Sequence, residues 1–524
     1  MKRRDFCKGL AVTLAAGTLA PAAALPQAGA ATALVGRAVP DDYYTLWYRS
    51  DRCGADLRHD YYYSDSLFDH PATEYDNQLA LATLGMAAAA DCPWESDQRY
   101  WMEGEVGRAD HIRDAFAKLG FTGVQLFNYT HSLNDTPDTV GCAIARKTLV
   151  RGGRQVTIIG AFLRGSGYGA EWSGNLHAGP GSAHVGFVTA TRQLVEKIRA
   201  YIQTSAKRQP LGTLKLWMGG YSRGGGVANL VAARLPAVLP QLEKKNTFVY
   251  TFAAPASLTA ADCPDLQQDY DNNHAADGSL KKNWGTSNIF NIVSSGDVIP
   301  RILPAEWGFY RNGNDRFLPS TVIPEELQAL NDRSARMEGT PIDFGRLAVT
   351  EEVDAVLRSM MDLFCDRQTY YEDYEDAMRC MLQCATTRTE EEVTRGIVRD
   401  DATVVAQLRS MELMQRFPQE KLERCVQAAS ALSRPVLEKL GSAVPLQAQQ
   451  IVIPMLAVGL CFELQPETVQ LVADFVLSTI TVEGQLSGIL KTVLCHFQEN
   501  YITVLEAYDP ADHGMEPYTR REEL

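Results

Sequence analysis

One short segment constrains the fold more than any other part of the chain. The apolar run Thr213–Met218 is followed by Gly220-Tyr221-Ser222-Arg223-Gly224 and then by small residues. A strand, Gly-x-Ser-x-Gly and a helix in this order form a nucleophile elbow, in which the serine occupies a strained turn. The flanking residues must be small because the helix packs tightly on the strand. The pattern therefore predicts that Ser222 is a nucleophile beside a helix N-terminus, whose N–H groups stabilise negative charge.

The surrounding residues predict the sheet that such an elbow requires. Residues 151–320 alternate short β-rich runs with helical periodicity, which is typical of a parallel sheet covered by helices. Apolar residues recur at helical spacing in Val185–Ile202, between the first two runs. We therefore predict an α/β fold with a mostly parallel sheet. Its predicted strands are Gln155–Leu163, Thr213–Met218, Thr247–Ala253 and Asn288–Val293.

A serine nucleophile needs a base and an acid that orients the base. In folds with this elbow the three residues follow in the order serine, acid, histidine. Asp297 comes after the apolar run Ile289–Val293, so we expect it at the carboxyl end of a strand, where α/β enzymes bind ligands. Of the nine histidines, only His496 and His513 lie after Asp297. The sequence order leaves both as candidate bases.

Two backbone N–H groups are candidates for an oxyanion hole. One belongs to Arg223, directly after the predicted nucleophile. The other belongs to Ser166, in the glycine-rich turn that follows the strand Gln155–Leu163. We predict that these two groups bind the negatively charged oxygen of a tetrahedral intermediate.

Several blocks in this order resemble the lipase class 3 family of α/β-hydrolases. The resemblance covers about 155–305, under a third of the chain. It implies an α/β-hydrolase fold and a serine hydrolase that cleaves acylglycerols or simpler carboxylic esters without a cofactor. The blocks are Ala161–Ser166 with Trp172, Ala183–Phe187, Tyr221–Gly225, Thr251–Pro255, and Asn291–Val293 through Asp297–Pro304.

The chain departs from the family pattern at three places. Leu163 is an extra residue between Phe162 and Arg164, and Tyr221 and Arg223 replace the usual His and Leu, which predicts a cation beside the acyl site. A long helical block before the C-terminal histidine resembles a subgroup of secreted bacterial lipase-like proteins. That resemblance favours His496 over His513 as the base, while His184 is interpreted as a structural residue.

The first residues resemble an export signal. Two arginines in Lys2–Lys8 precede the Ala-rich apolar run Gly9–Leu25, and Ala28-Gly29-Ala30 offers a cleavage site for a signal peptidase. The pattern is similar to a twin-arginine signal. We therefore expect export to the periplasm, the cell envelope or the medium.

Composition predicts four parts along the chain. Residues 321–490 have an almost purely helical pattern, and we interpret them as an insertion or cap in one domain, since no low-complexity linker flanks them. The predicted parts are a signal peptide at 1–30, a hydrolase core at 31–320 (31–150 and 151–320), the helical block at 321–490, and a return to the core at 491–524.

Charge and motif content exclude several other functions. Lys and Arg number 50 against 64 Asp and Glu, a net charge of −14 without the basic cluster that nucleic-acid binding requires. Cys380 and Cys384 have metal-ligand spacing, but no second pair completes a zinc site, so we predict no metal and no cofactor.

The expected partner is a small-molecule or lipid ester, with transient contact at a lipid interface left open and no obligate protein partner. A peptidase or thioesterase on the same fold and a non-catalytic binding protein remain alternatives.

Overall fold

The computed structural model of the protein describes most of the predicted core and part of the helical block. Among the helices in these ranges, none is both long and apolar enough to cross a bilayer. The predicted signal at 1–30 lies outside them, as do Ser166 and His513. The described residues are 37–50, 56–91, 109–129, 139–165, 175, 184–259, 286–294, 297, 299–301, 309–318, 376–377, 380–381, 383–384, 399–440, 446–463 and 496–507.

Among the described residues, seven strands form the central sheet. Its middle strands are fully buried runs of apolar and β-branched residues, as expected for strands that are covered on both faces. In chain order the strands are β3 (Thr122–Phe127), β4 (Cys142–Arg151), β5 (Arg154–Leu163), β6 (Thr213–Tyr221), β7 (Thr247–Phe252), β9 (Ile289–Ser294) and β11 (Asn314–Leu318).

The sheet order is β11-β9-β7-β6-β5-β4-β3. The strands from β11 to β5 are parallel, which confirms the predicted α/β class with a mostly parallel sheet. The edge formed by β4 and β3 is antiparallel. There, Gly152 and Gly153 join β4 to β5 with φ values of 54° and 76°, the backbone that a two-residue hairpin turn requires.

In the described part of the chain, helices cover both faces of this sheet. On one face, α1 (Asn77–Ala90) and α2 (Ala109–Lys118) enclose a core centred on aromatic residues such as Trp217 and Phe162. On the other face, α3 (Val185–Arg208) and α4 (Arg223–Val238) pack on aliphatic side chains of β5 and β6. Because side chains alternate along a strand, Trp217 faces one layer and Met218 the other. The elbow between β6 and α4 is thereby fixed by both layers.

Two small antiparallel pairs accompany the main sheet. The strands β1 (Asp42–Arg49) and β2 (Asp56–Tyr63) form a ribbon that packs on α1 and α2. The short strands β8 (Leu258–Thr259) and β10 (Phe309–Tyr310) form the second pair.

The described part of the helical block has its own apolar core. Its helices are α5 (Asp401–Ser410), α6 (Gln419–Leu440) and α7 (Leu446–Cys461), of which α6 and α7 pack against each other. Cys380 and Cys384 are buried in this core. Asp400 caps α5 because its carboxylate accepts a hydrogen bond from the Thr403 amide at 2.8 Å.

The last described helix, α8 (Gln498–Ala507), returns to the hydrolase core. Tyr501 and Ile502 are fully buried in the same apolar cluster as α1, on the aromatic face of the sheet. Asn77 Nδ2, at the start of α1, donates to the Leu505 carbonyl at 3.2 Å. The segment just before α8, which contains His496, is therefore anchored to the sheet by its helix.

Candidate active site

Ser222 lies at the turn between β6 and α4. Its φ of 53° and ψ of −126° belong to a region that a non-glycine residue rarely adopts, and such strain is common at functional sites. The turn is held because the Ser222 amide donates to the Phe252 carbonyl at 2.9 Å and the Ser222 carbonyl accepts from the Gly226 amide at 3.1 Å. The serine side chain is partly exposed at the end of a buried strand.

The glycines on each side of Ser222 allow this turn by close backbone approach. A Cβ atom on Gly220 would lie 2.4 Å from the Gly224 carbonyl oxygen. A Cβ atom on Gly224 would lie 2.3 Å from the carbonyl oxygen of Arg164, in the segment that follows β5. The small residues in the motif are therefore required by contact between α4, β6 and the neighbouring loop.

Asp297 is fully buried three residues after the end of β9. Its amide donates to the Ser294 carbonyl at 3.0 Å, and its Oδ1 accepts from the Ile299 amide at 2.9 Å. Its Oδ2 accepts from the Tyr501 hydroxyl at 2.8 Å. The carboxylate is thus oriented by its own loop, through Ile299, and by α8, through Tyr501.

His496 bridges this carboxylate and the serine. His496 Nδ1 lies 2.8 Å from Asp297 Oδ2, and His496 Nε2 lies 2.9 Å from Ser222 Oγ. A carboxylate can only accept, so the geometry assigns the ring proton to Nδ1 and leaves Nε2 to accept from the serine hydroxyl. The side chain of His496 is 17% exposed whereas that of Asp297 is 0% exposed, so the ring faces solvent on one side. The three residues have the hydrogen-bonding order of a serine hydrolase triad.

Tyr221 holds the backbone of the histidine. Its hydroxyl donates to the His496 carbonyl, and its ring packs against the rings of His496 and Tyr501. Burial raises the pKa of Tyr221 well above its ordinary value, and nearby groups including Tyr501 and Asp297 add to the increase. The phenol therefore remains a neutral hydrogen-bond donor.

Sequence comparison assigns the region that contains the elbow. Residues 165–307 match the family model described as lipase (class 3). Residues 165–307 are therefore similar to class 3 lipases and are called the class 3 lipase region below. The predicted resemblance to that family is therefore confirmed, and the match supports a carboxylic ester hydrolase.

Solved structures of fungal lipases are also similar, over part of each chain. A Rhizomucor miehei lipase in complex with its propeptide shares 20% identity over 46% of this chain and 68% of that chain, with a TM-score of 0.31. Lipase II from Rhizopus niveus shares 16% identity over 46% and 80%, with a TM-score of 0.30. Lip2 lipase from Yarrowia lipolytica shares 16% over 46% and 77%, with a TM-score of 0.29. No curated protein sequence matches the chain.

The side chain of Arg223 differs from the sequence expectation for this class 3 lipase region. Its guanidinium is 1% exposed and stacks on the Phe187 ring at 5.0 Å. It donates to Asn175 Oδ1 at 2.7 Å and to the carbonyls of Thr139 and Gly186 at 3.1–3.2 Å. The cation expected beside the acyl site is therefore a buried structural cation. The Arg223 amide itself is the first of α4, in the position predicted for an oxyanion donor.

His184 occupies a structural position in the class 3 lipase region. Its ring is fully buried and stacks on Phe187 with ring centroids 3.9 Å apart. Its Nε2 lies 2.8 Å from the Asn175 carbonyl. Phe187 is thus held between His184 and Arg223 at the start of α3.

Sequence reasoning missed Tyr501 and Asp91. Tyr501 is five positions after His496, and its hydroxyl donates to the Asp297 carboxylate. Asp91 follows an alanine-rich helix far earlier in the chain, and its carboxylate accepts from the Gly165 amide at 2.9 Å. The proximity of Asp91 to the class 3 lipase region arises from packing between α1 and the sheet, for which the sequence gives no local signal.

Proposed function

We propose that the protein is an exported serine ester hydrolase whose catalytic triad is Ser222, His496 and Asp297. The observation that carries this proposal is the hydrogen-bond chain from Ser222 Oγ through the His496 ring to Asp297 Oδ2. Its occurrence at a nucleophile elbow, in a region that matches class 3 lipases, supports ester hydrolysis. The proposed substrates are acylglycerols or simpler carboxylic esters.

The proposed reaction proceeds by acyl transfer. Ser222 Oγ attacks the ester carbonyl carbon while His496 Nε2 accepts the hydroxyl proton. The imidazolium then donates that proton to the leaving alcohol, and an acyl-serine ester remains. Water attacks this ester with His496 again as base, which releases the carboxylic acid and restores Ser222. Asp297 orients the ring and stabilises the imidazolium throughout.

The negatively charged oxygen of each tetrahedral intermediate needs fixed donors. We assign the Arg223 amide, at the N-terminus of α4, as one donor, and its orientation is supported by the hydrogen bonds that fix the elbow. Ser166 remains the proposed second donor, from the segment after Gly165. Loss of one such donor in serine hydrolases costs roughly 100- to 1,000-fold in kcat.

Export is a separate proposal. It is supported by the twin-arginine-like segment Lys2–Lys8 and the small residues Ala28-Gly29-Ala30. Substitution of Arg3 and Arg4 by lysine is expected to retain the protein in the cytoplasm, measured by cell fractionation. Export that proceeds unchanged in this variant contradicts the twin-arginine interpretation.

The decisive experiment is hydrolysis of p-nitrophenyl esters from acetyl to palmitoyl by the purified protein. Activity and labelling by a fluorophosphonate probe are expected to disappear in Ser222→Ala and to fall by at least about 1,000-fold in His496→Ala. His513→Ala is the matched control and is expected to retain both. The chain-length optimum then separates an esterase from a lipase.

Parallel assays with thioesters and peptides separate the other hydrolases. A wild type that is labelled but cleaves only thioesters or peptides contradicts the ester proposal and keeps the triad. A wild type that is neither labelled nor active on any panel contradicts the enzyme proposal, and a binding protein then becomes the better interpretation.

A further inference from the structure

One buried carboxylate joins two segments of the proposed active site. Asp91, directly after α1, is 5% exposed. Its Oδ1 accepts a hydrogen bond from the Gly165 amide at 2.9 Å. Its Oδ2 accepts one from Gln498 Nε2 at 2.6 Å. These donors lie 74 and 407 positions away from Asp91 in the sequence.

Both donors are adjacent to residues with proposed catalytic roles. Gly165 directly precedes Ser166, the proposed oxyanion donor. A hydrogen bond that holds the Gly165 amide therefore restrains the backbone immediately before the proposed donor. Gln498 is the first residue of α8, two positions after His496. The Asp91 carboxylate therefore links Gly165-Ser166, called the oxyanion segment here, to the segment that carries the base.

Asp91 is itself held by a rigid support. Its amide donates to the carbonyls of Ala87 and Ala88 at 3.1 Å, and the adjacent Ala90 carbonyl accepts from the Tyr129 hydroxyl at 2.7 Å. A Cβ atom on Gly165 would lie 3.0 Å from Asp91 Oδ1, so a glycine there lets the carboxylate approach the backbone. The position of the carboxylate is thus set by α1 and tolerates little movement.

The chemistry of the two donors explains why an acid stands here. A backbone amide and a side-chain NH2 group both need acceptors, and a carboxylate provides one oxygen for each. Gln498 Oε1 has no hydrogen-bond partner among the described residues, which agrees with a side chain placed to donate through Nε2. In Asp91→Asn, the Oδ1 atom can still accept from the Gly165 amide. The new Nδ2 group can bind Gln498 only if the Gln498 side-chain amide flips, so that its Oε1 accepts the hydrogen bond.

We propose that Asp91 is a positioning residue for ester hydrolysis, which holds the oxyanion segment at a fixed distance from His496. This inference rests on the proposed function. Oxyanion donors act only when they are oriented in advance toward the oxygen of the tetrahedral intermediate. A displacement of about 1 Å can cost about 100-fold in rate. The hydrogen bonds from Gly165 and from Gln498 to Asp91 hold both segments against such a displacement.

The kinetic test compares Asp91→Ala, Asp91→Asn and Gln498→Ala with the wild type. Asp91→Ala is expected to lower kcat by about 100-fold and to change KM by less than about threefold, because substrate binding does not need the oxyanion donors. Asp91→Asn is expected to stay within about fivefold of the wild type. If Asp91 acts through the link, Asp91→Ala and Gln498→Ala are non-additive in the double variant.

The matched control is Asp76→Ala at the other end of α1. Asp76 caps that helix, since its Oδ1 accepts from the Leu79 amide at 2.8 Å. Its loss is expected to lower Tm without changing kcat per folded molecule. Two kinetic results overturn the proposal: a kcat for Asp91→Ala that falls only with the folded fraction, or an additive double variant.

Hydrogen exchange supplies a readout that does not depend on turnover. Amide exchange in the segments around Gly165 and at the start of α8 is expected to rise by at least about tenfold in Asp91→Ala and to remain unchanged in Asp76→Ala. Unchanged exchange in Asp91→Ala overturns the link, whether or not the wild type cleaves esters. If exchange rises in Asp91→Ala but the wild type is inactive and is not labelled, the link stands. The positioning role in catalysis and the proposed function are then both overturned.

Discussion

The Tyr501 hydroxyl donates to Asp297 Oδ2, the same carboxylate oxygen that faces the His496 ring. It also accepts from the Ser294 amide at 2.9 Å, at the end of β9. Tyr501→Phe removes a donor from the buried carboxylate and leaves that amide unsatisfied. We expect kcat to fall about tenfold with little change in KM, and Tm to fall, because an unsatisfied buried donor costs about 1–3 kcal/mol. Steady-state kinetics and thermal unfolding measure both effects.

Tyr201→Phe is the control for this prediction. Its hydroxyl donates to the Gly123 carbonyl at 2.7 Å, and burial raises the pKa of Tyr201 to about 12. Tyr201→Phe also removes a phenolic oxygen, but this one lies outside the triad. We therefore expect Tm to fall and kcat to stay unchanged. An equal effect of both variants on kcat would show that Tyr501 acts only through stability.

Gly224→Ala tests the packing of the elbow. The added Cβ would lie 2.3 Å from the Arg164 carbonyl oxygen and 2.6 Å from that of Leu163, and these are backbone atoms. Overpacking of this kind costs about 1–3 kcal/mol and would separate α4 from the oxyanion segment. We expect a loss of activity larger than the loss of folded protein, measured by labelling with a fluorophosphonate.

Gly226→Ala provides the comparison on the same helix. Its Cβ would meet the Phe187 ring at 2.8 Å, which is a side-chain contact at the start of α3 and not a contact with the backbone of the segment after β5. This variant is therefore expected to retain more activity than Gly224→Ala. The reverse order would contradict the close contact between α4 and the segment after β5.

Lys147 and Asp65 form a buried ion pair beneath the β1–β2 ribbon. The Lys147 ammonium is 0% exposed and donates to Asp65 Oδ1 and to the Leu119 carbonyl. Burial lowers the pKa of Lys147, while Asp65 opposes that decrease. Lys147→Met leaves the carboxylate buried without its cation and is expected to cost about 3–5 kcal/mol. Denaturant unfolding measures this loss.

Two further variants complete the test of this pair. Lys147→Met combined with Asp65→Leu is expected to recover most of the stability, since neither charge then remains buried alone. Arg199→Ala breaks the exposed pair with Glu196 and is expected to leave the unfolding midpoint nearly unchanged. A single variant as stable as the wild type would contradict the buried-pair interpretation.

Cys425 is the thiol that we expect to react first in the described part of the chain. A hydrogen bond from Cys461 and the nearby cations Lys421 and Arg424 lower the pKa of Cys425 to about 7, against the opposing effect of burial. Burial raises the pKa of the Cys142 and Cys384 thiols instead. Because the thiolate is the nucleophile, alkylation at Cys425 should be half-maximal near pH 7.

Mass spectrometry after brief treatment with iodoacetamide locates the modified residue. Cys461→Ser keeps a hydrogen-bond donor and Cys461→Ala removes it, so the alanine variant should shift the reaction midpoint to higher pH. An unchanged midpoint would exclude Cys461 as the main cause.

Local sequence patterns predicted the central strands and the residues of the hydrogen-bond chain. The run Asn288–Val293 differs by one residue from β9, and Thr213–Met218 extends to Tyr221 in β6. These elements could be predicted because fully buried strands need continuous apolar runs. The order of serine, acid and histidine then left two histidines, and the structure places His496 against Ser222 and Asp297.

Contacts between distant segments could not be predicted in this way. Asp91 meets Gln498 only because α1 and α8 pack on the same face of the sheet. The direction of the Arg223 side chain was mispredicted because its sequence position indicates where its backbone lies and not which carbonyls surround its guanidinium. Ser166 and His513 remain predictions, since both lie outside the described residues.

The long separation between Ser222 and His496 has a consequence during protein synthesis. The two residues are 274 positions apart. At roughly 5–20 residues per second, a ribosome reaches the histidine about 14–55 s after the serine. Throughout that interval the nascent chain carries its proposed nucleophile without a base. Esters in the compartment of synthesis therefore meet an inert polypeptide until the last helix reaches the sheet.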